Sequence, residues 1–154
     1  LSISLVEAVE RRSRNILEEL KDGVKKEAQE HSYAVAEAYH YVGLALYDVG
    51  DDEGAKTNYE RATTKFNEII NKFTGITPFN AQCRIGNLYE ELALLYDDEK
   101  VAYYNKAMDA YTYITEERRS NIMFGYIRDL MAIKIWQTKE RVNCIKKELN
   151  LFDS

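Results

Sequence analysis

Glycine and proline are scarce in this chain, and their scarcity limits the fold more than any other feature. The 154 residues contain seven glycines and one proline, so few positions interrupt regular structure. Between these positions, apolar residues recur every three or four residues, which is the period of an amphipathic helix. The sequence therefore predicts an all-α protein. Because loops of a few residues leave successive helices antiparallel, the helices should pair as hairpins.

The first predicted helix occupies residues 1–31 and has one continuous apolar stripe. The stripe passes through Gly23, where the helix would either break or tolerate an interior glycine at a cost of about 1 kcal/mol. We prefer an end at His31-Ser32, with a break at Gly23 as the alternative. The stripe consists of Ile3, Val6, Val9, Ser13, Ile16, Leu20, Val24 and Ala28.

Turn and cap residues divide the rest of the chain into further helices, which gives about seven in all. Gly50 suits the left-handed residue that ends many helices, and Asp51 or Asp52 offers a side-chain oxygen as the next N-cap. Thr77-Pro78 is typical of an N-cap followed by proline at the first helical position. Further boundaries are predicted at Gly75, Asp97-Asp98, Ser120 and Thr138. The predicted units within a single domain, 1–154, are the N-terminal helix followed by hairpins at 33–74, 78–117 and 120–150, the last of them a capping hairpin.

The segment that begins at Ala36 has the spacing of a known helical repeat. Its pattern is Tyr39, Val42, Gly43 and Leu46, followed by Ala55, Tyr59 and Ala62. This pattern resembles the tetratricopeptide repeat, in which small residues stand where paired helices approach closely and aromatic rings fill the gaps between hairpins. The resemblance covers about one repeat length. It implies a right-handed α-solenoid of stacked hairpins.

The second repeat can be aligned in two registers. Ile85, Gly86 and Tyr89 match the first half of the pattern, but Asp98 then stands where a small residue should be. A register counted from Tyr89, Leu92, Ala93 and Tyr96 restores the helix but requires a shorter turn before Tyr104 and Ala107. The sequence leaves both registers open.

Residue types that carry chemistry do not form a complete catalytic or metal site in the sequence. Glu37-x-x-His40 has the spacing of half a di-iron motif, but the only other histidine, His31, lacks the matching carboxylate. Cys83 and Cys144 are too far apart for a CxxC pair and are expected to be reduced. No glycine-rich phosphate-binding motif occurs. We therefore expect neither an enzyme nor a cofactor.

The charge distribution excludes some classes of partner. The formal net charge of −5 disfavours nucleic-acid binding, which normally requires a basic surplus. No run of eighteen apolar residues suggests a membrane span, so we expect no membrane binding, and the two cysteines expected to be reduced predict a cytoplasmic protein. Residues 35–99 contain 12 acidic and 5 basic side chains. An acidic surface of this kind favours a neutral or basic protein partner.

If the resemblance holds, a concave groove is lined by the first helix of each hairpin. It implies a protein-interaction module that binds a peptide or helix of a partner, with no lysine or arginine at the wall positions of the first hairpin. The alternative is a self-associating structural or regulatory domain, in which residues 1–30 pair with a second copy as a homodimer. The predicted groove residues are Glu37, His40, Leu44, Tyr47, Asp48, Asn80, Asn87 and Glu90.

Overall fold

The computed structural model describes residues 3–116 and 122–153, with side chains described for 4–116 and 124–150. Every regular element in these ranges is helical, so the prediction of an all-α protein is confirmed. The five α-helices are α1 (Ile3–Asp48), α2 (Asp52–Lys72), α3 (Ile76–Leu95), α4 (Lys100–Thr115) and α5 (Ile122–Asp153), and a short 3-10 turn at Asp97–Glu99 precedes α4.

The described residues form five long helices where about seven were expected, because two expected boundaries are absent. Helix α1 is one continuous helix of 46 residues, with no break at Gly23 or at His31-Ser32. Nothing lies within 4 Å of the position a Cβ would take at Gly23, so this glycine costs only its intrinsic helix penalty. Thr138 does not start a helix but lies inside α5, where its hydroxyl donates to the Lys134 carbonyl one turn earlier. The helix start predicted at Ser120 lies outside the described residues.

The connections before α2 and α3 use glycine and aspartate. Gly50 and Gly75 have φ angles of 85° and 101°, the left-handed region that glycine reaches without strain. Asp51 caps α2, and its Oδ1 accepts a hydrogen bond from the Gly54 backbone N–H at 2.9 Å. Helix α3 begins at Ile76, before the predicted N-cap at Thr77, and Pro78 lies in its first turn, where a missing N–H is harmless.

Two contacts between a tyrosine ring and a glycine bring helices together within each pair. A Cβ at Gly43 of α1 would lie 2.6 Å from two ring carbons of Tyr59 of α2. The Tyr111 ring of α4 packs in the same way on Gly86 of α3. Gly86 thus has the place in the second pair that Gly43 has in the first. The alanines of the first pair, Ala55 and Ala62, are fully buried.

Each helix packs on the next along the chain, and α1 also contacts α3. The main core lies between α2, α3 and the C-terminal half of α1. Its largest fully buried side chains include Tyr59, Phe66, Ile69 and Leu88. None of the helices in residues 3–116 and 122–153 combines the length and the apolar character needed to cross a bilayer.

The N-terminal part of α1 does not take part in this packing. Residues 4–28, here called the projecting segment, are exposed throughout. At a rise of about 1.5 Å per residue, this segment is about 37 Å long. It leaves most of one apolar stripe in contact with solvent.

Candidate functional site

The predicted groove residues of α1 lie on one side of its C-terminal half, as their spacing of three and four requires. His40 is buried, with 5% of its surface exposed. Glu37 and Leu44 are half-buried, whereas Tyr47 and Asp48 are exposed. The exposed end of this row is therefore the part that a partner can reach.

An arginine of α3 joins Glu37 to His40. The Arg84 guanidinium lies 2.6 Å from Glu37 Oε2 through Nη1 and 2.8 Å from His40 Nδ1 through Nη2. Because a guanidinium can only donate, Nδ1 accepts and the ring proton belongs on Nε2. Burial and the charge of Arg84 lower the pKa of His40 to about 4. Glu37 and His40, three residues apart on α1, thus contact the same arginine and join α1 to α3.

Sequence analysis missed Arg84, although one signal for it existed. Arg84 is the only basic residue of α3, a helix whose other faces are largely apolar. A lone cation in such a helix needs an anionic or hydrogen-bonding partner nearby. No cluster of three or more histidine, cysteine, aspartate or glutamate side chains suited to a metal ion occurs in the part of the chain that the structure describes.

Glu90 of α3 is the centre of a second cluster that joins α3, α4 and α5. Glu90 is 9% exposed, its carboxylate accepts a hydrogen bond from the Tyr111 hydroxyl at 2.6 Å, and the Thr138 hydroxyl oxygen lies 3.1 Å from it. Lys134 Nζ lies 2.7 Å away and Arg141 Nη1 lies 3.5 Å away. Four groups of the protein itself therefore engage the Glu90 carboxylate.

The two asparagines of the predicted groove have different surroundings. Asn87 belongs to the Glu90 cluster, because its Oδ1 lies 2.7 Å from the Tyr111 hydroxyl. Asn80 lies near the start of α3, where it lines a shallow pocket of about 180 Å³ with Tyr33 and Glu37. Both asparagines are half-buried, and Asn80 is the one that borders this pocket.

Three side chains at the C-terminal end of α1 and in α3 form what we call the acidic patch: Tyr47, Asp48 and Glu91. Neither carboxylate has an ion-pair partner within the described ranges. Glu91 is half-buried, and its pKa is raised first by burial and then by the charges of Glu90 and Asp48, against the opposing charge of Lys134. The two carboxylates thus lie close enough to repel each other, and the charge of Lys134 opposes this repulsion at Glu91.

The hydroxyl of Tyr59 is buried beneath the acidic patch. Tyr59 is fully buried, and its hydroxyl has no hydrogen-bond partner among the described residues. Burial raises the pKa of Tyr59, and the charges of Glu91 and Asp48 together with the neighbouring Tyr47 raise it further. His40 Nε2 is the other buried polar atom without a partner in the same residues. The rings of His40 and Tyr59, whose centroids are 5.9 Å apart, thus each carry one unused hydrogen-bonding group.

The cations near the predicted groove were not among its predicted residues, and two of them come from α5, a helix that sequence analysis did not assign to the groove. Arg84 neutralises Glu37, whereas Lys134 and Arg141 of α5 face Glu90. Amphipathic periodicity shows which residues share a face of one helix, but it does not show which helices meet. The sequence therefore indicated that α1 and α3 are acidic, but it did not indicate which cations of other helices face them.

The chain matches no protein-family model, no curated protein and no solved structure. Its function must be inferred from the geometry described above.

Proposed function

We propose that this protein is a tetratricopeptide-like interaction module that binds a neutral or basic segment of a partner protein at the acidic patch. The observation that carries the proposal is the pair Asp48 and Glu91, which have no ion-pair partner among the described residues, beside the exposed Tyr47. Aromatic side chains with a polar tip are enriched where proteins bind one another. Tyr47 supplies such a group, with 39% of its surface exposed.

The electrostatics of the patch favour a cationic partner. The raised pKa of Glu91 means that its charged form is disfavoured by burial and by nearby carboxylates. A lysine or arginine from a partner would relieve this repulsion and make charge-assisted hydrogen bonds. An acidic segment would add a third like charge and be rejected.

The arrangement of helices supports the repeat character of the proposal. Each of the pairs α1/α2 and α3/α4 places one tyrosine ring of its second helix on one glycine of its first. The ion pair of Arg84 with Glu37 joins α3 to α1, and the ion pair of Glu90 with Lys134 joins α3 to α5. These alternate helices would form the wall of a shallow groove, with α2 and α4 behind it.

The two cysteine thiols favour a binding role over a catalytic one. Burial raises the pKa of the Cys83 thiol to about 11, so this thiol stays protonated and is a poor nucleophile at neutral pH. Cys83 and Cys144 are both free thiols. Unpaired thiols are typical of a reducing compartment such as the cytoplasm, where we propose that the protein acts.

A selection from a random peptide library with the full chain as bait tests the proposal. We expect enrichment of peptides with lysine or arginine beside an apolar residue. Asp48→Asn or Glu91→Gln should weaken the best peptide about tenfold, since each removes one charge-assisted contact. Glu68→Gln, at an exposed carboxylate of α2, is the matched control. Enrichment of acidic peptides, or an equal loss with the control, would refute the proposal.

The projecting segment supports a second candidate function, which is self-association through residues 1–30. Val9, Leu20 and Val24 in this segment are 59%, 61% and 68% exposed. A contiguous apolar stripe of this length on a monomer indicates an interaction surface. Sedimentation equilibrium of the full chain and of Leu20→Glu should show a dimer that this substitution dissociates, with no change in helix content by circular dichroism. A monomeric parent chain would exclude this candidate.

A further inference from the structure

We propose that the projecting segment pairs with the same segment of a second copy as an antiparallel two-helix coiled coil, in which Arg12 faces the partner subunit's Glu19. This inference rests on the self-association proposed above. It adds that a second copy of this chain covers the apolar stripe, that the two helices run antiparallel, and which residues fix their register.

The apolar positions of the segment follow a coiled-coil spacing. Val6, Val9, Ser13, Ile16 and Leu20 alternate steps of three and four, which places them at a and d positions of consecutive heptads. Apart from Ser13, these are large apolar residues, and they are 46–61% exposed. A seam of this kind is stable when a second helix covers it.

The antiparallel direction follows from the residues that flank the seam. In an antiparallel pair, an a residue faces a d residue of the partner, so Leu20 lies opposite the partner's Val9 and Ser13 opposite the partner's Ile16. The residues immediately before each a position then face one another. These are Arg12 and Glu19, and the two-fold symmetry of the pair forms the Arg12–Glu19 contact twice.

A parallel pair would have no such complementarity. In that direction, a residue before an a position faces the partner residue five positions further along. Arg12 would face the partner's Leu17, and Glu19 would face the partner's Val24. No ion pair would form between these flanking positions. Flanking charges set the orientation of coiled coils, so they select the antiparallel direction here.

The base of the projecting segment offers a seat for the end of the partner helix. A notch of about 470 Å³ lies between α1 and the end of α2, with Leu20, Val24 and Phe73 among its lining residues and Lys21, Lys25 and Lys72 around it. In the proposed register, the partner's Val9 lies opposite Leu20, at one wall of the notch. The notch can therefore receive an apolar residue, and its lysines lie close to the partner's Glu7.

A charge-reversal experiment at low salt tests the direction of the pair. Arg12→Glu alone places like charges opposite each other twice, as does Glu19→Arg alone, so each variant should dimerise about tenfold more weakly than the parent chain. An equimolar mixture of the two variants restores both opposite-charge contacts. We expect the mixture to form a heterodimer with the affinity of the parent dimer. The measurement is sedimentation equilibrium with one variant labelled.

The controls reverse the same charges away from the seam. Arg11→Glu and Glu18→Arg lie on the outer side of the helix in this register, and their mixture should show no preference for the heterodimer. If Arg12→Glu and Glu19→Arg behave like these controls while the parent chain dimerises, the antiparallel register is wrong and self-association stands. If the parent chain is monomeric at high micromolar concentration, both fail and another protein or a lipid surface covers the stripe. A Leu20→Glu dimer as tight as the parent dimer would also overturn the inference.

Discussion

The ring of Tyr59 lies on the backbone of Gly43, so close that a methyl group at position 43 would come within 2.6 Å of two ring carbons. This contact sets the distance between α1 and α2 and directs the tyrosine hydroxyl beneath the acidic patch. The same relationship recurs between Tyr111 and Gly86 in the next helix pair. The pairs α1/α2 and α3/α4 are thus each built on an aromatic ring that requires a glycine opposite it.

Substitution of Gly43 tests this contact. Gly43→Ala should lower the free energy of unfolding by about 1–3 kcal/mol, and Gly43→Leu by more, because a Cβ forces the Tyr59 ring and α1 apart. Gly23→Ala is the matched control, since that helical glycine has open space around it. The control should be stabilised by about 1 kcal/mol. Urea denaturation measures both, and a Gly43→Leu variant as stable as the parent chain would show that the helices are not in this register.

The two tyrosines should respond in opposite ways to loss of the hydroxyl. Tyr59→Phe removes a buried hydroxyl with no partner among the described residues, so stability should rise by about 1 kcal/mol. Tyr111→Phe removes a hydroxyl that donates to Glu90 and lies 2.7 Å from Asn87 Oδ1, so it should lower stability by about 1–3 kcal/mol. Thermal unfolding of the two variants compares them directly. A loss of stability in Tyr59→Phe would mean that its hydroxyl is bonded in solution.

Removal of the charge at Glu90 should destabilise the attachment of α5. Glu90→Gln leaves Lys134 and Arg141 without their anion and weakens the bonds from Tyr111 and Thr138. Breaking a buried ion pair by removing one partner costs about 3–5 kcal/mol, a figure reduced here because Arg141 is more than half exposed. Hydrogen exchange should accelerate in α5 before it does in α2. Uniform acceleration in both helices would contradict this role.

Stability should depend on pH through His40. Its pKa in the folded protein is about 4, below the ordinary value of 6.5, so the unfolded chain takes up the proton first. The stabilisation is complete above about pH 6.5 and is lost as the pH falls towards about 4. It amounts to about 3 kcal/mol. His40→Asn, whose side-chain oxygen can accept from Arg84, should have a flatter profile across this range. If the stabilities of the parent chain and of His40→Asn change equally between pH 6.5 and 4, His40 is not the source of this pH dependence.

The sequence was sufficient for local features and insufficient for contacts between helices. Helical periodicity identified the all-α class, and Gly43, Ala55 and Ala62 lie at close helix contacts. The break expected at His31-Ser32 was wrong because these two residues are only slightly worse helix formers than their neighbours and the apolar stripe continues beyond them. Arg84 and Lys134 could not be placed, since their ion pairs depend on which helices meet.

The acidic patch is tested most directly by mapping where a cationic peptide binds. Backbone amide shifts of the full chain would be followed while a basic peptide from the library selection is titrated in. The largest changes should occur around Tyr47, Asp48 and Glu91, and they should disappear in the Asp48→Asn/Glu91→Gln double variant while the shifts of α2 stay unchanged. Changes centred on the outer surface of α2, or equal binding by the double variant, would contradict the proposed binding site.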